Sequence, residues 1–162
     1  MNKLIYVMEK CIAALASAAM AGIVIMVFLN VVLRYVMNSG LTWSDEVAVN
    51  LFVWFIFLGA VLAAMQGLHL KVDVLTSRLS PKLQKLCSFI ANIFVLLSMG
   101  ILALGGYRLV LVTNNNVSSA TGLPFSYITV SLVFFAVCVI GLTLRQMYEE
   151  WRNTEAMEGD KR

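Results

Sequence analysis

The chain has 162 residues, of which 60% are apolar and 13% charged, with a formal net charge of +3 at pH 7. Soluble domains average about 45–50% apolar and about 25% charged, so an ordinary water-soluble globule is excluded, and so is a disordered chain, which needs low hydrophobicity. What remains is an all-α integral membrane protein. A spanning helix takes about 20 mostly apolar residues, so four of them use roughly half the chain and leave no room for a soluble domain. The small positive excess is read through its placement and not as a nucleic-acid footprint; no nucleic-acid partner is expected.

Four transmembrane helices are predicted, near 11–33, 47–65, 86–107 and 127–146. Their apolar runs, ending at 104 and 144 in the last two, contain no Asp, Glu, Lys, Arg or His. The first run is too long for the apolar region of a cleaved signal and reads as an uncleaved helix. Ala14, Ala18 and Gly22 recur on one face of it, and Gly59, Ala63 and Gly67 on one face of the second; such rows let helices approach closely. Thr42 and Asp45 have capping-box-like spacing at the start of the second helix. Asp45 and Glu46 also suit a positive helix N-terminus. Trp43 lies at interfacial depth, and Trp54 and Trp151 read as further anchors or packing groups.

Between the second and third spans, Val72, Leu75, Leu79, Leu83 and Leu86 form an amphipathic stripe opposed by Lys71, Arg78, Lys82 and Lys85. An interfacial helix is predicted over 71–79, its basic side meeting phospholipid headgroups. Ser80-Pro81 reads as the cap and first residue of the next helix. Residues 113–119 are turn-rich, and Gly122-Leu123-Pro124 leads into the fourth span. A charged C-terminal tail, frayed, is expected over 152–162. The chain reads as one transmembrane domain.

Ten of the 12 Lys and Arg residues fall at the termini or in the 71–85 segment; Arg34 and Arg108 are the others. The positive-inside rule then puts both termini in the cytoplasm (N-in/C-in) and the 34–46 and 105–126 connections outside.

Pumps and proton relays place ionisable groups inside their spans, and these runs have none. His69 is the single histidine, too few for a bis-histidine haem site, and it reads as an interface residue. Neither a P-loop, a metal-ligand cluster nor a catalytic triad is visible; no cofactor, metal or catalytic residue is expected. Cys11, Cys87 and Cys138 are far apart and read as buried small hydrophobes. Asn30 and Arg34 share a face of the first helix, and Glu46, Asn50 and Trp54 one of the second. The expected arrangement pairs Arg34 with Asp45 or Glu46 and turns Asn50 toward a helix contact. The chain therefore reads as a scaffold or accessory subunit. One alternative is a self-sufficient oligomeric transporter or channel lined by Asn30 and Asn50; another is a membrane anchor subunit of an enzyme.

Asn30-Val31, Arg34-Tyr35, Trp43 with Asp45-Glu46, Phe57-Leu58-Gly59-Ala60, His69 with Val72-Asp73, Ser118-Ser119, Gly122-Leu123-Pro124 and Tyr127 occur in that order. Their order and spacing resemble the small membrane subunit of tripartite ATP-independent periplasmic (TRAP) transporters, over roughly 8–152. The resemblance implies four spans in a bacterial inner membrane. It implies a large multi-span membrane subunit that carries the substrate and sodium sites, and a periplasmic substrate-binding protein. The small subunit acts as a stator in sodium-coupled uptake of an organic acid, with sialic acid the first expectation and a C4-dicarboxylate the second. Carried onto this chain, Arg34, Trp43, Asp45, Glu46 and His69 are structural or interface positions.

Overall fold

The computed structural model describes residues 3–38, 40–66 and 81–159. It holds four helices: α1 (Lys3–Val36), α2 (Thr42–Met65), α3 (Pro81–Thr113) and α4 (Ser126–Gly159). Each carries an apolar stretch long enough to cross a bilayer: Tyr6–Val36, Trp43–Met65, Leu86–Thr113 and Ser126–Glu149. In hydrocarbon, backbone groups find no water, so only a helix satisfies them within one segment. No strand forms among the described residues; the only sheet-like feature there is an isolated bridge between Val117 and Pro124. The expected interfacial segment 71–79, with Lys71 and Arg78, lies outside the described residues, as does His69.

Two helical hairpins make up the bundle. α1 packs on α2, α3 packs on α4, and the hairpins meet along an α2–α4 seam. The spatial order is therefore α1, α2, α4, α3. Ile12 and Ala16 of α1 and Leu58 and Val61 of α2 form the buried centre, flanked by Phe55, Leu62, Met65, Phe135 and Cys138. Along the seam Trp54 meets Phe134 at a ring separation of 6.2 Å, and Phe57 meets Phe135 at 5.5 Å. Tilted ring pairs at these separations suit the aromatic quadrupole.

The buried polar groups are mostly hydroxyls turned onto backbone. Thr143 donates to the Val139 carbonyl at 2.8 Å, Ser44 to that of Leu41 at 2.9 Å and Thr129 to that of Phe125 at 3.4 Å. Small hydroxyl residues satisfied in this way allow close packing where lipid offers no partner. α3 and α4 pack tightly at Gly106: a Cβ placed there would lie 2.9 Å from Val133 Cγ2. Lipid-length apolar side chains such as Phe94, Leu97, Ile101 and Leu104 cover the outside of α3.

Four expectations change. The packed face of α1 runs through Ile12 and Ala16, while Ala14 and Ala18 are exposed; Gly22 does pack, its Cβ position 3.4 Å from Leu51. Nearly every position in this helix is apolar, so small residues alone do not mark the inner side. Cys11 and Cys87 are exposed on the lateral surface, and only Cys138 is half-buried. α2 starts at Thr42 with Leu41 in the cap position, so Thr42 is inside the helix and is not its cap. Finally, α4 continues to Gly159. Its polar part is built from good helix formers, and Arg145 pairs with Glu149 one turn on, at 2.8 Å.

Candidate functional site

The 37–41 and 114–125 connections lie at the same end of the bundle, beside the start of α2. Asp45 and Glu46 occupy the first turns there, where negative charge favours the helix dipole. Neighbouring helical positions point about 100° apart, so one carboxylate turns to α1 and the other to the 114–125 connection.

Asp45 is held by Asn30. The Asn30 amide donates to Asp45 Oδ1 at 2.9 Å, and its carbonyl oxygen accepts the Leu41 N–H at 2.9 Å. One side chain thereby joins the end of α1 to the cap and the first turn of α2. Leu41 has no side-chain cap of its own.

Glu46 is held from the other hairpin. Its Oε2 accepts the Thr121 hydroxyl at 3.0 Å and also the hydroxyl of Ser118. Ser118 Oγ in turn accepts the N–H groups of Ala120 and Thr121. The connection closes on itself through Ser118 N–H to the Leu123 carbonyl and Gly122 N–H to the Ser118 carbonyl. Gly122 has φ +68°, a left-handed conformation that glycine adopts without strain.

One turn further along α2, the Asn50 amide donates to the Glu46 carbonyl at 3.0 Å. Another turn on, Trp54 Nε1 donates to the Tyr127 carbonyl at 3.2 Å, in the first turn of α4. Glu46 and Trp54 thus face the second hairpin as their shared helix face suggests, while Asn50 is half-buried and satisfied within its own helix. A cleft of about 220 Å³ remains among Asp45, Glu46, Asn50, Ser118, Thr121 and Phe125. Its carboxylates receive hydrogen bonds from an amide and two hydroxyls. Among the described residues, no group of three or more His, Cys, Asp or Glu could hold a metal ion.

The expected pairing of Arg34 with Asp45 or Glu46 is not made: both acids take neutral donors, and Arg34 is exposed in the last turn of α1, where a cation suits the helix dipole. Trp43 is 41% exposed at the same level. Lys82 and Lys85 fall in the first two turns of α3. Asn30 and Asn50, the residues named for a pore lining, both make hydrogen bonds inside the chain. Sequence reasoning missed Thr121 and the part played by Ser118. It also missed Gln66, which donates to Glu9 at 3.0 Å and joins α2 to α1 at the opposite end. Glu9 just before the first apolar run was the available signal.

Residues 23–153 match the DctQ component of the tripartite ATP-independent periplasmic transporters. A Haemophilus influenzae protein provisionally named a TRAP transporter small permease protein is 34% identical, over 88% of this chain and 85% of its own length. The C4-dicarboxylate TRAP transporter small permease protein DctQ of Vibrio cholerae is 32% identical over 44% of this chain and 31% of its own. An uncharacterized protein of Sinorhizobium fredii is 32% identical over 85% of this chain but only 27% of its own, longer chain. With four membrane-length helices and a family match over most of its residues, this chain belongs to the DctQ-component family, the small permease subunits of TRAP transporters.

Proposed function

We propose that this chain is the stator of a sodium-coupled organic-acid importer in a bacterial inner membrane. It holds the fixed part of a larger multi-span subunit, which carries substrate and sodium, and a periplasmic binding protein delivers the acid. The observation that carries this reading is the use to which the chain puts its acids: Asp45 and Glu46 are spent on tying its connections together. The apolar runs 11–33, 47–65, 86–104 and 127–144 hold no Asp, Glu, Lys, Arg or His. A translocation path needs such groups or a polar cavity, and here they must come from the partner.

Charge placement supports an orientation with both termini in the cytoplasm, which puts the Asp45–Glu46 end in the periplasm. The basic residues Lys71, Arg78, Lys82 and Lys85 then fall on the cytoplasmic side, where anionic headgroups attract them. Of the two acids the family resemblance suggests, a C4-dicarboxylate has the support of the Vibrio cholerae relative's name; sialic acid is the alternative.

Uptake of labelled C4-dicarboxylate and sialic acid by cells expressing the larger subunit and the binding protein, with and without this chain, tests the role. Uptake should fall to background without it. Undiminished uptake in its absence contradicts a stator.

A further inference from the structure

Arg108 is a cation in apolar surroundings. It stands five residues before the end of α3, exposed, inside the apolar stretch Leu86–Thr113. Leu104, one turn before it, is 69% exposed, and Leu111, one turn after it, is 59% exposed. Arg108 makes no hydrogen bond or ion pair among the described residues. A charge at a lipid-facing position is costly, so it pairs with an opposite charge or reaches the interface. The chain does not supply the opposite charge. Between Asp73 and Glu149 it has no Asp or Glu. Asp45 and Glu46 lie at the same end of the bundle, but on α2, with α4 between them and α3, and both take neutral donors.

The helix side that carries Arg108 is laid out like a phospholipid. Leu97, Ile101, Leu104, Arg108, Leu111 and Asn115 recur at alternating spacings of 4 and 3, which is one side of a helix. Asn115 is exposed in the turn after α3, where the Asn114 N–H still bonds to the Val110 carbonyl at 3.0 Å and prolongs the helical pattern. This side is apolar as far as Leu104, then carries a guanidinium and, past the helix end, an amide. From Leu97 to Arg108 the helix rises about 16 Å, and one leaflet of hydrocarbon is about 15 Å deep. The same rise in the other direction reaches Leu86, where the apolar stretch begins. With Leu97 at mid-bilayer, Arg108 stands at the depth of the headgroup phosphates.

The charges also select among headgroups. A guanidinium presents paired N–H donors that match phosphate oxygens. A zwitterionic headgroup brings an ammonium as well, which needs an acid beside it, and this side of the chain has none. An anionic headgroup needs none. An acid on a neighbouring protein helix would be desolvated together with Arg108, at a cost that attraction offsets only in excellent geometry. A phosphate at this depth keeps part of its water.

We propose that the lipid-facing side of α3 is a binding site for an anionic phospholipid in the leaflet at the Asp45–Glu46 end. Arg108 holds the phosphate, Asn115 donates to the headgroup, and an acyl chain lies along Leu104, Ile101 and Leu97.

The test uses the full chain reconstituted in vesicles, with Cys11, Cys87 and Cys138 replaced by serine and a fluorophore on Leu104→Cys. Either phosphatidylglycerol or phosphatidylethanolamine carries a nitroxide quencher on its acyl chain, at equal mole fraction. Position 104 is one turn from Arg108 and about 27 Å along α3 from Leu86, so it reports on the near leaflet. Phosphatidylglycerol should be enriched there about fivefold over phosphatidylethanolamine, the preference expected of one basic residue for an anionic headgroup. Arg108→Gln should abolish the preference, and Arg108→Lys should keep most of it. Because Arg108 bonds to nothing among the described residues, Arg108→Gln should melt as the parent does, so a lost fold does not explain a lost preference. Equal quenching by the two lipids, or a preference that survives Arg108→Gln, overturns the site. Cross-linking of the same cysteine to another protein in native membranes gives the counter-charge to that protein and also overturns the lipid assignment.

Discussion

Glu46 at the start of α2 accepts a hydrogen bond from the Ser118 hydroxyl, 72 positions further along the chain, and so ties the first helical hairpin to the second. The same carboxylate oxygen takes Thr121, so one acid fixes both sides of the 114–125 turn.

Removing that acid should loosen the seam at one end. Glu46→Ala is expected to cost about 1.5–3 kcal/mol, the range for hydrogen bonds to a charged group. Ser118→Ala and Thr121→Ala should each cost about 1 kcal/mol. Thermal unfolding in detergent measures all three. The Glu46→Ala/Ser118→Ala pair should be less than additive, because either change alone breaks the shared bond.

Asn30 is the corresponding tie within the first hairpin. Asn30→Leu should free the Leu41 N–H and strand Asp45, at about 1–3 kcal/mol. Hydrogen exchange at Leu41 reads this directly and should accelerate. Asn30→Asp keeps an acceptor for Leu41 but sets a second carboxylate against Asp45, so it should not rescue.

At Gly106 the constraint is steric. Gly106→Val would push against Val133, a stiff β-branched neighbour 2.9 Å from the added Cβ. The expected cost is about 1–3 kcal/mol, as for other overpacked contacts. Val133→Ala should recover part of it, and melting temperatures of the two single variants and the double variant decide the matter.

Trp54→Phe keeps a ring against Phe134 and removes the donor to the Tyr127 carbonyl. Its cost should be about 0.5–1.5 kcal/mol, less than that of Trp54→Ala, which loses the ring as well. Unfolding of both variants separates the two contributions.

The four spans could be read from the chain because long apolar runs have one solution in lipid. The start of α2 and its acids were visible too, since charge next to an apolar run marks a helix end. Their partners were not. Opposite charge made Arg34 the expected mate for Asp45, but the short Asn30 amide, one turn earlier on α1, bonds both Asp45 and Leu41. Thr121 lies 75 positions from Glu46, and no local pattern announces a contact at that range. The inner face of α1 was hidden for the opposite reason: with almost every residue apolar, Ile12 and Ala16 do not stand out from Ala14 and Ala18. The helical run of α4 past Trp151 is not legible because the mixed charges of 152–162 read as a frayed tail, although good helix formers lie among them.

The central claim is that this chain frames a translocation path it does not itself contain. Parallel liposomes with a sodium gradient and a labelled organic acid test it most directly, one set holding this chain alone and another holding it with the larger subunit and the binding protein. The account predicts accumulation only in the complete set. Accumulation in liposomes that hold this chain alone would contradict it.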